Sequence, residues 1–81
     1  MTVQAKAEVH IQVPSDLTET ILEALRPEVE SPSSERSSAI VRGGDGEIVI
    51  TAEASDTTAL RASLNSYLRW VQGMLEMFSK L

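Results

Sequence analysis

The residues of this chain that carry reactive side chains are few and far apart in the sequence. Its single histidine, His10, stands two positions after Glu8, and the chain has no cysteine. A catalytic histidine needs a positioned partner and a pocket, and a structural zinc site needs several His or Cys ligands. We therefore expect His10 to be a surface residue, with no disulfide, no thiolate metal site and no cysteine nucleophile in the chain.

The carboxylates and serines form no catalytic set either. Glu47 and Glu53 share one face of a predicted strand, but the extended chain between them holds them about 20 Å apart. Ser63 and Ser66 have no lysine or histidine at the spacing of a general base. The sequence therefore predicts a protein that is not an enzyme and that uses no metal ion or cofactor.

The glycine-rich segment 43–46 matches the G-x-x-G pattern with which KH domains clamp an RNA backbone. In KH domains that loop joins two helices, whereas strand-like segments flank this one, and Asp45 adds a negative charge to it. Glycines supply the positive φ that tight hairpin turns demand. The segment therefore predicts a hairpin turn.

The basic residues of the last predicted helix are a separate candidate site. Arg61, Asn65 and Arg69 recur at a spacing of four, which places them along one polar arc. This arc is either a solvated face, with Glu76 nearby for pairing, or a ridge that contacts a phosphate backbone or an acidic partner. A net charge of −5 argues against charge-driven nucleic-acid binding by this chain alone, although it leaves room for a minor role inside a larger complex.

Length and composition indicate one small domain, 1–81, with a thin core. A chain of 81 residues buries only roughly 60% of its unfolded surface on folding. A hydrophobic content of 42% is too high for a disordered chain, and no apolar run is long enough to span a membrane. The first residues enter an alternating pattern directly, without the basic and apolar regions of a signal peptide. We expect a cytoplasmic domain that gains stability by association.

The first two elements are a strand and a helix. Apolar and polar residues alternate strictly over 3–13, which predicts a strand with one buried face, and Pro14 ends it. Ser15 or Asp16 then caps a helix that Pro27 ends after about three turns. The predicted apolar stripe of this helix comprises Leu17, Ile21, Ala24 and Leu25.

A connector and a hairpin follow. Residues 28–38 are rich in Ser, Glu and Pro and predict a mobile connector. Strands over 39–42 and 47–54 then flank the glycine turn. If Val41 lies opposite Ile48, then Ala39 faces Ile50, and the outer face carries one apolar pair. The core side of the hairpin then holds Val41, Ile48, Ile50 and Ala52, and the outer apolar pair is Ile40 and Val49.

The resulting order of elements is β-α-β-β-α, an α+β fold. Ser55 or Asp56 caps a second helix that runs to about Lys80. The first helix carries the chain back across the sheet, so the three strands are all antiparallel in the order 1-3-2, with both helices on the apolar face. The polar outer face of the sheet meets water or another subunit.

The last helix has more apolar surface than this small fold can cover. At about 100° per residue its apolar residues fall into two stripes. The first predicts core and comprises Leu60, Leu64, Leu68, Val71, Leu75 and Phe78. The second predicts a partner-binding surface and comprises Tyr67, Trp70, Met74, Met77 and Leu81. For Tyr67, packing on the first helix is an equally supported alternative.

The run SDTTALRASLNSYLRW at 55–70 resembles the signature of the small dimerisation subunits of the KEOPS complex, in their archaeal form. This family also includes the eukaryotic CTAG/LAGE proteins. The segment LRPE at 25–28 and the alternating first strand are similar as well. The resemblance covers nearly the whole chain, and its most specific part is the run from Leu60 to Trp70.

This resemblance implies a non-catalytic scaffold that forms homodimers through its sheet. Helices of such proteins pack on helices of the catalytic synthase subunit, which has an ATPase fold and makes threonylcarbamoyladenosine at position 37 of tRNA. Two copies thereby join two synthase subunits, and tRNA is contacted indirectly or weakly. Arg61, Asn65, Arg69 and Trp70 match the family's run. The alternative is an independent small RNA-binding module of α+β type.

Overall fold

The computed structural model describes residues 2–30 and 37–80, which form three strands and two long helices. The strand β3 pairs antiparallel with both β1 and β2, so the sheet order is 1-3-2. The predicted α+β class and the predicted order of elements are confirmed. The elements are β1 (Ala5–Gln12), a short 3-10 helix (Ser15–Leu17), α1 (Thr18–Glu30), β2 (Ser37–Gly44), β3 (Glu47–Ala54) and α2 (Thr57–Ser79).

The two helices share the apolar side of the sheet unequally. Helix α1 packs mainly on β2, whereas α2 lies over β3 and β1 and touches α1 along one side. Side chains of the central strand are fully covered, including Ile48 and Ile50. On β1 the apolar and polar residues alternate as predicted, but the apolar ones are only half-buried. The helical layer therefore protects the β2 side of the sheet better than the β1 side.

Helix α1 continues through Pro27 to Glu30, so the prediction that Pro27 ends it is wrong. A proline removes one backbone hydrogen bond. Val29 is 1% exposed, and its burial anchors the last turn beyond the proline. Neither Ser15 nor Asp16 caps the segment, because a 3-10 turn without a side-chain cap precedes α1. Ala24, predicted to face the core, is exposed.

The predicted connector is shorter at both ends in the structure. Glu28 belongs to α1, and Ser37 and Ser38 already pair with β3. Ser37 is also nearly buried and accepts a hydrogen bond from the hydroxyl of Ser63 on α2, with the two Oγ atoms 2.8 Å apart. The predicted mobile part at 31–36 lies outside the described residues.

The hairpin register differs from the prediction by two residues. Val41 lies opposite Ile50 rather than Ile48, because the turn contains only Asp45 and Gly46. Gly46, the second of the two turn residues, has a φ of 85°, a left-handed conformation that glycine adopts without steric cost. A shift of two keeps every side chain on its predicted face, because strand side chains alternate with a period of two. The predicted core side is therefore buried as expected.

On the outer face of the hairpin, the shift in register changes which residues form cross-strand pairs. Ile40 lies opposite Thr51 and is 56% exposed, whereas Val49 lies opposite Arg42 and is 5% exposed. The predicted Ile40–Val49 cross-strand pair is therefore wrong. On its other side Val49 faces His10, so long polar side chains flank it on both neighbouring strands.

Thr18 joins the start of α1 to the hairpin turn. Its hydroxyl donates to the carbonyl of Pro14 (3.2 Å) and accepts from the backbone N–H of Gly46 (2.9 Å). The side chain is 4% exposed, so both bonds are shielded from water. The loop after β1, the first turn of α1 and the hairpin turn are thereby held together.

Gly43 is the closest point between the hairpin and α1. A Cβ at this position would lie 2.5 Å from the carbonyl oxygen of Glu47 and 3.2 Å from a methyl carbon of Leu22, whereas a Cβ at Gly44 would meet nothing within 4 Å. Gly43 therefore has a steric reason to be glycine that Gly44 lacks.

Replacing Gly43 with alanine should lower the free energy of unfolding by about 1–3 kcal/mol, because the new methyl group forces the backbone or Leu22 to shift. Urea unfolding followed by circular dichroism measures the change. The matched control, Gly44→Ala, should stay within about 0.5 kcal/mol of the parent protein. Equal effects of both variants would contradict the close approach at Gly43.

Candidate interaction surfaces

Helix α2 carries both predicted stripes and is fixed at its start by Asp56. The Asp56 carboxylate accepts a hydrogen bond from the backbone N–H of Ala59 (2.7 Å), as an N-cap residue does. This confirms one of the two predicted caps. The helix then runs over Thr57–Ser79 without a break.

The buried seam of α2 lies between the two predicted stripes and takes residues from both. Tyr67, Val71 and Met74 are 6%, 2% and 4% exposed. Met74 was predicted to face a partner, but it belongs to the core. For Tyr67 the structure shows the core alternative. Leu81, the last member of that stripe, lies outside the described residues.

The predicted core stripe is covered only in part. Leu68 is 37% exposed, so the prediction that it lies in the core is wrong. Other members of the stripe pack against the edge of the core and remain half-buried; these are Leu60, Leu64, Leu75 and Phe78. The apolar arc of α2 is therefore wider than the layer beneath it, and it is left open along both of its margins.

One open margin, the Trp70 flank, forms a groove of about 490 Å³ along α2. Trp70 and Met77 are 44% and 56% exposed there, and a Cβ at Gly73 would meet nothing within 4 Å. The glycine therefore leaves a gap in the helix surface between two large apolar side chains. The groove is lined by Ser66, Arg69, Trp70, Gly73, Met74 and Met77.

The other open margin, the Leu68 flank, forms a groove of about 330 Å³ on the opposite side of the seam. Ser63, on the Trp70 side of the helix, bonds to Ser37 at the start of β2. The Leu68 flank therefore faces the β1 side of the sheet, since residues across a helix point in opposite directions. This groove is lined by Thr57, Leu60, Arg61, Leu64, Asn65 and Leu68.

The predicted polar contacts border these two grooves. Arg61 and Asn65 line the Leu68 groove, and Arg69 lines the Trp70 groove. All three side chains are exposed. The structure thus divides the predicted polar ridge between two apolar surfaces, so each groove has a hydrogen-bonding rim of the kind found around protein interfaces.

His10 lies on the outer face of the sheet within a cluster of charged side chains. Its Nε2 is 2.8 Å from Glu8 and its Nδ1 is 3.4 Å from Glu47. The hydrogen bond to Glu8, followed by the bond to Glu47, raises the pKa of His10. The same bond, assisted by the nearby Arg42 guanidinium, lowers the pKa of Glu8. Because both ring nitrogens face carboxylates, this arrangement favours the doubly protonated imidazolium.

The cluster also explains why Val49 is covered on a face that is otherwise wet. Arg42 reaches from β2 to Glu8 on β1 (3.8 Å) and thereby crosses the central strand near Val49. The alternation along β1 predicts that His10 and Glu8 lie on this face, but it does not predict their link to Arg42 and Glu47. The signal that would reveal it is the strand register, which places Val49 between His10 and Arg42.

Residues 2–30 and 37–80 contain no group of three or more His, Cys, Asp or Glu side chains placed to hold a metal ion. Within the same ranges, no helix combines the length and the hydropathy needed to cross a bilayer.

The chain is similar to known proteins over nearly its whole length. Residues 6–79 match the model of a protein family described as transcription factor Pcc1. A protein of Pyrococcus abyssi (strain GE5 / Orsay), the KEOPS complex subunit Pcc1, is 31% identical over 77 residues, which cover 94% of each chain. The match spans both helices and all three strands, so it includes both grooves of α2.

The seam of α2 predicts a contrast between two methionines of the same helix. Met74→Ala should lower the free energy of unfolding by about 2–5 kcal/mol, because it empties part of the core. Met77→Ala should change it by no more than about 0.5 kcal/mol, because that side chain is exposed. Urea denaturation of both variants is the measurement. A larger loss for Met77→Ala than for Met74→Ala would place the seam elsewhere.

The cluster around His10 predicts that stability depends on pH. The pKa of His10 is raised in the folded state. The stabilisation that its charged imidazolium supplies is therefore fully present below the unfolded pKa of about 6.5 and is lost as the pH rises through the folded pKa. The free energy of unfolding should therefore decrease as the pH rises above about 6.5. Urea titrations across this range measure the slope. His10→Gln should flatten it, and an unchanged slope in that variant would assign the effect to other groups.

Proposed function

The chain belongs to the Pcc1 family, and we propose that it is a non-catalytic, dimeric scaffold subunit of a KEOPS complex. In this role it joins two copies of the synthase subunit that makes threonylcarbamoyladenosine at position 37 of tRNA. The complex works in the cytoplasm. The relative from Pyrococcus abyssi, whose name places it in a KEOPS complex, supports this assignment across nearly the full length of the chain.

The observation that carries the proposal is the Trp70 flank of α2. Trp and Met are enriched at protein interfaces, and Met adapts its shape to the surface that it meets. Here Trp70 and Met77 stand exposed on either side of Gly73. A glycine in a helix lowers stability by about 0.5–1 kcal/mol relative to alanine. One reason to retain glycine at such a position is that it lets the backbone of another helix approach closely. We assign this groove to a helix of the synthase subunit.

A scaffold that joins two synthase subunits needs two kinds of surface. One binds the synthase, and the other binds a second copy of the scaffold through a symmetric contact. Helix α2 has open apolar margins on both sides of its buried seam. The Trp70 flank faces away from β1 and serves the synthase in this proposal, which leaves the β1 side of the molecule for the second copy.

The polar residues around the grooves have a supporting role in this proposal. Arg61, Asn65 and Arg69 are exposed at the rims, where they are available to a partner or to tRNA within the assembled complex. A net charge of −5 makes the isolated chain a poor ligand for nucleic acid. Any contact to tRNA therefore depends on basic surfaces that other subunits supply.

The double variant Trp70→Glu, Met77→Glu should lose the synthase subunit while it keeps its fold. Loss of a central aromatic anchor alone weakens binding by about 30-fold or more. Copurification of the tagged variant with the synthase subunit measures binding, and circular dichroism checks the fold. The matched control is Gln72→Glu, which changes an exposed position of α2 outside both grooves and should bind like the parent protein.

Two results would overturn this proposal. If the double variant binds the synthase as tightly as the parent protein does, the Trp70 flank is not the binding surface. If the parent protein ignores the synthase but binds RNA without other proteins, with an affinity that falls steeply with salt, the chain is an independent RNA-binding module instead.

A further inference from the structure

We infer that the synthase helix bound in the Trp70 groove is acidic along one side, and that Arg69 pairs with one of its carboxylates. The inference rests on the proposed function and adds the chemistry of the partner at the same groove. Lys80, one turn after Met77, is the second cation that this acidic side meets. Three features support it: the charge of residues 57–80, the contacts of their cations and the position of those cations beside the groove.

Helix α2 and its last residue form the basic part of an acidic chain. Residues 57–80 carry three cationic side chains and one carboxylate, whereas residues 1–56 carry four cationic side chains and eleven carboxylates. The formal charges of the two parts are therefore +2 and −7, which together make the −5 of the chain. An acidic partner is attracted to α2 and repelled by the rest of the molecule, so the charge distribution directs it to this helix.

The cations of this helix also differ from the others in their contacts. Lys6 and Arg42 on the sheet and Arg26 on α1 lie 3.6, 3.8 and 3.8 Å from glutamate carboxylates. In the part of the chain that the structure describes, no carboxylate lies within ion-pair distance of Arg69 or Lys80. In a chain with an excess of carboxylates, these two cations are thus left for a carboxylate of another molecule.

Arg69 and Lys80 follow one side of the Trp70 groove. Arg69 lines the groove, and Gly73 and Lys80 stand four and eleven residues after it, so all three lie along one line on the helix. The apolar side chains of Trp70 and Met77 stand beside this line. The two cations are about 16 Å apart along the axis, or three turns. A helix in the groove therefore packs its apolar stripe on Trp70 and Met77 and places its adjacent polar side along the cations.

A protein carboxylate fits these cations better than a nucleic-acid phosphate does. Strong phosphate binding needs clustered cations, whereas Arg69 and Lys80 are three turns apart, and the exposed carboxylate of Glu76 lies between them in the sequence. A guanidinium binds a carboxylate through two parallel hydrogen bonds. Such a pair strengthens when an adjacent apolar contact excludes water, and the Trp70 groove supplies that contact.

A neutral variant of Arg69 tests the ion pair. Arg69→Gln should weaken binding to the synthase subunit by about fivefold at low salt, because it removes one partner of the pair. The affinity of the variant should also fall less with rising salt than that of the parent protein. Calorimetric titration at two salt concentrations measures both effects, and circular dichroism checks the fold. The matched control, Gln72→Glu, makes the same change in net charge outside the grooves and should stay within about twofold of the parent protein.

Carbodiimide cross-linking identifies the group that Arg69 meets. This reagent forms an amide bond between an amine and a carboxylate that are in contact. In the complex of the Arg69→Lys variant with the synthase subunit, mass spectrometry should therefore find residue 69 joined to an aspartate or glutamate of a synthase helix. Gln72→Lys, which places the amine on an exposed position outside the grooves, should give no such product.

Three results would count against the inference, and they separate it from the proposed function. If Arg69→Gln binds the synthase subunit as tightly as the parent protein at low salt, or if only Gln72→Lys cross-links, the acidic side of the partner does not lie at Arg69. If Arg69→Gln keeps its affinity for the synthase but weakens tRNA binding by the assembled complex, Arg69 contacts phosphate instead. If the parent protein does not bind the synthase at all, the proposed function itself is wrong.

Discussion

The packing of α2 on the sheet is the contact on which the rest of the structure depends. The buried seam of this helix consists of Tyr67, Val71 and Met74. The seam is narrower than the apolar arc of the helix, so other apolar side chains of the arc stay partly exposed. Two helices, of which α1 sits mainly on β2, are also too few to cover three strands. Both margins of α2 and the apolar side of β1 therefore remain partly open. Residues 2–30 and 37–80 contain no further helix or strand that could cover them.

This incomplete covering links the fold to the proposed role in the Pcc1 family. The open surfaces differ in character. The Trp70 flank is a groove beside a glycine, whereas the apolar side of β1 consists of half-buried side chains on an edge strand of the sheet. Small domains gain stability by association when their own core is thin. In the proposed assembly, the surface that stabilises the subunit and the surface that recruits the synthase are separate, so each is able to act without the other.

The sequence predicted the order of elements, the sheet order and the face on which each strand residue lies, because periodicity reports these features directly. It did not predict the hairpin register, because a shift of two residues leaves the period of two unchanged. It placed the end of α1 too early, since the burial of Val29 outweighs the bond lost at Pro27. The error at Pro27 concerns a tertiary contact that no local pattern contains, whereas the register depends on which residues form the turn.

The residues of the predicted partner-binding stripe differ in burial for a similar reason. A helical wheel gives the relative angles of Tyr67, Trp70 and Met74, but it does not give the direction of the sheet or of the neighbouring helix. In the structure Tyr67 and Met74 are buried in the core, whereas Trp70 and Met77 are exposed. The link from His10 to Glu47 and from Arg42 to Glu8 likewise depends on strand register.

Native mass spectrometry of the chain mixed with its synthase subunit tests the scaffold account most directly, because it counts both components in one species. The account predicts a complex that contains two copies of this chain and two synthase subunits, together with a free dimer of this chain. A complex with one copy of each, and no species that contains two copies of this chain at any concentration measured, would contradict it.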